Sequence, residues 1–165
     1  MNRLVIDLVN DHHVEVVDPY GCITIEKDWI KVNCTHNQTR PEIILKIPEI
    51  MNTINPKMII RTQFSGGWNE LKILKNSHNR WITIFDTESC CSFTKEYTIY
   101  LDTKCYEYKI VPIDGGGIYE YIKIFRSVVI EYQTQKTQLP PPPLLLIGGV
   151  AATLGILAYF SSHKV

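Results

Sequence analysis

The sequence predicts a mainly β protein, an antiparallel β-sandwich or barrel-like domain with one C-terminal transmembrane helix. Three observations carry this reading. Isoleucine occurs 23 times in 165 residues and alanine three times, and the alanines (Ala151, Ala152, Ala158) all fall in the last fifteen positions. Alanine is the best helix former and isoleucine a β-branched strand former, so the skew separates a β domain from a tail of different character. Next, short runs of alternating apolar and polar residues fill the first 132 positions, punctuated by Pro, Gly, Asn and Asp. Finally, Leu144 to Phe160 are 17 consecutive uncharged, mostly apolar residues.

Charge narrows the function classes. With 17 basic and 17 acidic side chains the formal net charge is zero, which excludes a strongly basic nucleic-acid binder. The 45% hydrophobic and 21% charged fractions are too apolar for a disordered chain and too charged for a multi-span membrane protein.

The strands follow in order. Leu4, Ile6 and Leu8 alternate with Val5, Asp7 and Val9, and Val14 to Val17 follows the polar Asn10-Asp11-His12-His13, which predicts a first hairpin. Asp18-Pro19-Tyr20-Gly21 places Pro and Gly at the second and fourth positions of a type I turn, ahead of paired strands Cys22 to Glu26 and Trp29 to Asn33. Ile43, Ile44, Ile47, Ile50, Met51 and Ile54 recur at helical spacing, yet Pro48 would remove a hydrogen bond mid-helix. The segment therefore divides into a strand from Ile43 to Ile47 and one or two helical turns from Pro48. Met58 to Phe64, Trp68 to Lys75, Trp81 to Thr87, Tyr97 to Leu101 and Cys105 to Val111 are further strands, with turns at Ser65-Gly66-Gly67 and Asn76-Ser77-His78-Asn79. Ile118 to Tyr132 also fits a helical period, but its β-branched and aromatic residues, with no Ala or Leu, favour strand. Roughly ten short strands without long helices between them indicate a sandwich or barrel.

The domain is expected to end at residue 132. Residues 133 to 143 (QTQKTQLPPPP) form a polar, then proline-rich spacer, whose polyproline II rise would hold the domain about 12 Å from a bilayer. Residues 144 to 162 form the anchor, roughly 30 Å as a helix, and 163 to 165 a short tail. Gly148, Ala151, Ala152 and Gly155 fall at i, i+3, i+4 and i+7, a flat face suited to helix packing in the membrane, with a second span or a second copy. Met1 to Asn10 carries Arg3 and Asp7 and lacks the form of a secretory signal, so the domain is expected to face the cytosol. The topology resembles that of tail-anchored proteins.

Candidate chemistry is sparse. Cys22, Cys34, Cys90, Cys91 and Cys105 contain no CxxC pair, and an odd count facing the cytosol predicts free thiols. Cys90-Cys91 reads as an ordinary loop or strand end. His12-His13 reads as a solvated turn, because neighbouring strand residues point to opposite faces and do not converge on a metal. Asn33-Cys34-Thr35 and Asn37-Gln38-Thr39 match the glycosylation sequon, meaningful only in a lumen. Asp114-Gly115-Gly116-Gly117 lacks the Gly-Lys-Ser/Thr of a phosphate loop and reads as a flexible loop. No convergent acid, base, nucleophile or metal cluster is visible, so neither catalysis nor a cofactor is expected.

Three Trp and nine Tyr supply rigid amphipathic anchors for protein interfaces. The expected function is a non-enzymatic, membrane-tethered module whose β domain binds or scaffolds other proteins at a bilayer. The richness in Ile, Lys, Asn and Tyr is what an AT-rich coding sequence produces. With the tethered β domain, it looks like the accessory structural proteins with which large DNA viruses fasten a shell to an inner membrane. The alternatives are an adaptor of the mitochondrial outer membrane or endoplasmic reticulum, and, from a different class, a membrane-tethered enzyme.

Overall fold

The computed structural model describes residues 1–34, 39–89, 92–115, 117 and 119–135. Contacts group the chain into Met1–Gln135 and Lys136–Val165, and only the first of these units is described. The anchor and its packing face Gly148, Ala151, Ala152 and Gly155, most of the spacer, and Cys90-Cys91 lie outside the described residues. Among the described residues no helix is long and apolar enough to cross a membrane.

The described residues form twelve strands and one 3₁₀ turn: β1 (Asn2–Asp7), β2 (Val14–Val17), β3 (Ile23–Ile25), β4 (Trp29–Val32), β5 (Glu42–Lys46), the turn Pro48–Ile50, β6 (Thr53–Ser65), β7 (Asn69–Ser77), β8 (Arg80–Ser89), β9 (Phe93–Tyr100), β10 (Glu107–Ile113), β11 (Tyr121–Phe125) and β12 (Ser127–Thr134). The mainly β reading holds, as do the β3–β4 pair, the division at Pro48 and the strand reading after residue 120.

Two antiparallel sheets result. In the larger, β6 is the spine. It pairs with β9 on one side and with β11 and then β12 on the other, while β11 carries β4 and β3, and β12 carries β1. The smaller sheet runs β2-β5-β10-β7-β8. Each sheet turns one face inward. Ile30, Met58, Ile60, Phe64, Ile122 and Ile130 of the larger sheet meet Ile43, Leu45, Leu71, Ile73, Tyr108 and Ile110 of the smaller in one core, all 1% exposed or less. Period-two alternation is the cause: β10 reads intermediate, buried, intermediate along its length, the pattern expected of Cys105 to Val111.

The first hairpin does not form. β1 pairs with β12 in one sheet and β2 with β5 in the other. The residues between them are the reason: Asp7 caps the turn through Val9 N–H at 3.0 Å and Asp11 through His13 N–H at 3.0 Å, which turns the chain out of one sheet and into the other. By contrast β7 and β8 do form a tight hairpin. His78 and Asn79, at φ 53° and 62°, supply the two left-handed residues of a type I′ connection between Ser77 and Arg80.

Free thiols are also not the rule. Cys22 and Cys34 flank the β3–β4 hairpin, Asn33 N–H donates to Cys22 O at 3.1 Å, and the two cysteines form a disulfide with Cα atoms 5.0 Å apart. The hairpin register sets Cys22 opposite Asn33, the neighbour of Cys34, and so brings the two cysteines within reach, which an odd total count conceals. Cys105 is free and buried.

Candidate binding face on the larger sheet

Antiparallel register lines up side chains that lie far apart in sequence. Trp29 of β4 opposes Phe125 of β11, and Arg61 of β6 opposes Glu96 of β9. The β11–β6 register, with Lys123 opposite Gln63, brings Phe125 opposite Arg61. One row therefore crosses four strands on the outer face: Trp29, Phe125, Arg61, Glu96. The rings of Trp29 and Phe125 meet edge to face at 5.3 Å between centroids. The Arg61 guanidinium lies 5.7 Å from the Trp29 ring and 6.0 Å from that of Phe125. A second cluster sits one row away, with Lys31 and Lys123 at 4.6 and 5.5 Å from the Tyr121 ring.

Beside the row lies a depression of about 290 Å³. Arg3, Val5, Arg61, Glu96, Phe125 and Val129 line most of it. Its floor is the row in which Val5, Val129 and Ile59 oppose one another. Among the described residues Arg3, Arg61 and Lys31 make no ion pair, whereas Lys57, Lys123 and Arg126 are each bonded to a carboxylate. An apolar floor, half-buried rings and cations outside any ion pair are the composition of a recognition surface rather than of a solvated one.

Two other regions compare unfavourably. Another depression, about 400 Å³, lies between the β7–β8 turn and residues 102–107. Several of its polar groups pair with one another: Asn76 Nδ2 donates to Glu107 Oε2 at 2.6 Å, and the Cys105 thiol to Asn76 O at 3.0 Å. On the outer face of the smaller sheet the cations Lys46 and Lys109 are paired with Glu15 and Glu42.

The glycine loop is packed. A Cβ at Gly67, Gly115 or Gly117 would overlap the Glu120 side chain, and Gly117 N–H donates to Glu120 Oε2 at 3.0 Å, so these glycines admit a carboxylate at the rim where the chain crosses between sheets. Asp114, at its start, is fully buried, accepting from Cys34 N–H at 2.7 Å and from Arg40 Nη1 at 2.9 Å. Burial pushes its carboxyl above the ordinary range despite these partners. Asn33, the first sequon asparagine, has its amide nitrogen bonded to Glu120 O.

The His12-His13 reading holds in part. The residues lie on a turn, as expected, but on that turn their rings converge, with centroids 3.9 Å apart. His12 is solvated, 85% exposed, but His13 is 6% exposed, with Nδ1 2.6 Å from Asp11 Oδ1 and Nε2 2.8 Å from Glu49 Oε1. The histidine pair was visible in sequence but its convergence needed the turn geometry, and the aromatic row needed the register, its only sequence signal being the abundance of Trp and Tyr.

No family model matches the chain, and no curated protein matches it. Solved structures do. A family 29 carbohydrate-binding module is similar with a TM-score of 0.52 at 14% identity, over 87% of this chain and 100% of that one. A cleaved adhesin domain of the Lys-gingipain of Porphyromonas gingivalis is similar with a TM-score of 0.54 at 9% identity, over 82% and 100%. At such identities the likeness is one of fold alone: the chain shares the antiparallel two-sheet architecture of these binding and adhesin domains.

Proposed function

We propose that the chain is a non-catalytic binding module, tethered by its C-terminal apolar segment, that holds a glycan on the outer face of its larger sheet. The observation that carries this is the Trp29-Phe125-Arg61-Glu96 row beside its depression. Sugars present C–H faces that stack on aromatic rings and hydroxyls that pair with guanidinium and carboxylate groups, and this row offers both on neighbouring strands. The names of the structural neighbours lend support, since family 29 modules bind carbohydrate. A glycan-bearing partner protein would combine this with the scaffolding role expected from sequence, whether at a viral inner membrane or an organelle surface.

The test is a glycan array probed with the full chain in detergent, followed by titration of the best ligand. Phe125→Ala and Arg61→Ala should each weaken binding about tenfold, roughly 1.4 kcal/mol, while Lys46→Ala on the opposite sheet should not. Binding unchanged in both face variants would reject the assignment.

One observation favours a different orientation from the cytosol-facing one. Disulfides such as Cys22–Cys34 persist in oxidising compartments, so the β domain is proposed to face a lumen or the exterior. Protease protection in sealed microsomes decides the matter: digestion of the domain without detergent would return it to the cytosolic side.

A further inference from the structure

We propose that Asp11, His12 and His13 form a binding site for a divalent transition metal, with zinc the best match. The three residues each present a ligand atom, and all three atoms lie within 4.8 Å of one another. Asp11 Oδ1 is the shared vertex, 3.2 Å from His12 Nδ1 and 2.6 Å from His13 Nδ1. Nitrogen and oxygen ligands 2.0–2.1 Å from a tetrahedral zinc stand about 3.3 Å apart, so the His12 edge already has the required length and the His13 edge must open by about 0.7 Å. Imidazole with carboxylate is a donor set for zinc, copper or nickel rather than for calcium or magnesium.

The second observation lies behind the cluster. His13 Nε2 is bonded to Glu49 Oε1 at 2.8 Å, and Glu49 belongs to the 3₁₀ turn Pro48–Ile50. Once Nδ1 has given up the proton it shares with Asp11, the carboxylate on the far nitrogen keeps Nε2–H in place and leaves the lone pair on Nδ1, as the outer partners of metal-bound histidines commonly do. The ring is also fixed by burial, and the Asp11 carboxylate by the His13 N–H at 3.0 Å. Two of the three ligands are therefore held before metal arrives, and the third, His12, is exposed but already beside Asp11. Metal entry displaces the proton shared between His13 Nδ1 and Asp11 Oδ1 to solvent. Three protein ligands leave a fourth position open on the solvent side, where water completes the tetrahedron. Bound there, the ion would stiffen the β1–β2 turn, which His13 already joins to the 3₁₀ turn through Glu49.

The experiment titrates the full chain with zinc chloride alone, followed by calorimetry, and with copper(II), followed by electron paramagnetic resonance. One equivalent should bind, with nitrogen hyperfine structure from two imidazoles. His12→Ala, at an exposed position that leaves the fold intact, should weaken binding at least tenfold and reduce the hyperfine pattern to one nitrogen. Glu49→Gln, which touches no metal, should weaken it about 10- to 100-fold. His78→Ala, on the β7–β8 turn, is the control and should change nothing. Equal affinity and an unchanged spectrum for wild type and His12→Ala, or absence of stoichiometric binding in the wild type, would overturn the proposal.

Discussion

Arg126 grips Asp7 with two parallel hydrogen bonds, Nε to Oδ1 and Nη2 to Oδ2, each 2.8 Å. Arg126 is the single residue between β11 and β12. Its carbonyl accepts Leu8 N–H at 2.8 Å and its N–H donates to Asp28 O at 2.9 Å, so one residue fastens the end of β1 and the β3–β4 turn to the middle of the long return strand. The bond to Arg126 is the main reason the Asp7 carboxyl falls from 3.8 to about 2, with burial opposing and Val9 N–H assisting. A depressed carboxyl stabilises the fold above its unfolded value and loses that contribution as pH falls through its folded one. Asp7→Asn should therefore cost about 1 kcal/mol at neutral pH, a figure kept small because the pair is partly open to solvent. The gap between variant and wild type in denaturant titrations should close between about pH 4 and pH 2. A gap that persists at pH 2 would assign the cost to something other than the ion pair.

Arg40 and Asp114 make the opposite kind of pair, with Asp114 fully buried and Arg40 partly so. Removing the cation strands a buried carboxylate, whereas Asp114→Asn removes the charge and keeps an acceptor for Cys34 N–H. Arg40→Ala should cost about 3–5 kcal/mol and Asp114→Asn clearly less. Because burial raises the Asp114 carboxyl, folding disfavours its charged form, so Asp114→Asn should gain on the wild type as pH rises through the ordinary carboxylate range and above it. Equal costs for the two variants in thermal unfolding would contradict this account.

Tyr108 tests the core of the smaller sheet. Its ring is fully buried, its hydroxyl oxygen accepts Asp102 N–H at 2.9 Å, and the hydroxyl has the carbonyls of Asp102 and Cys105 at 2.9 and 3.2 Å. Burial pushes the phenol well above its ordinary range. Tyr108→Phe keeps the ring but leaves a backbone N–H without its acceptor, at a cost of about 1–3 kcal/mol. Hydrogen exchange at the Asp102 amide should accelerate in the same variant, and an unchanged rate would show that water replaces the hydroxyl there.

The strands were legible because each carries its own alternation; β10 and β6 show inward positions at every second residue, and local sequence suffices for that. Sheet membership was not. Whether β1 pairs with β2 or with β12 depends on partners more than a hundred residues apart, and two strands with the same period look alike whichever sheet they join. The binding face was hidden for the same reason: Trp29 and Phe125 are neighbours only through the β4–β11 register. The Cys22–Cys34 bond was hidden by counting cysteines rather than asking which strands bring two of them level.

β12 is hydrogen-bonded on both flanks, to β1 over Asn2–Asp7 and to β6, and it ends at Thr134, where the chain leaves the domain. Inter-strand bonds in an antiparallel ladder stand perpendicular to the strand. A pull on Thr134 along the axis of β12 therefore loads both ladders in shear, and many bonds must yield together, whereas a pull at right angles would unzip them one at a time. The exit strand is held by the first strand of the chain on one flank and by the spine of the larger sheet on the other, so force along its axis meets two ladders at once.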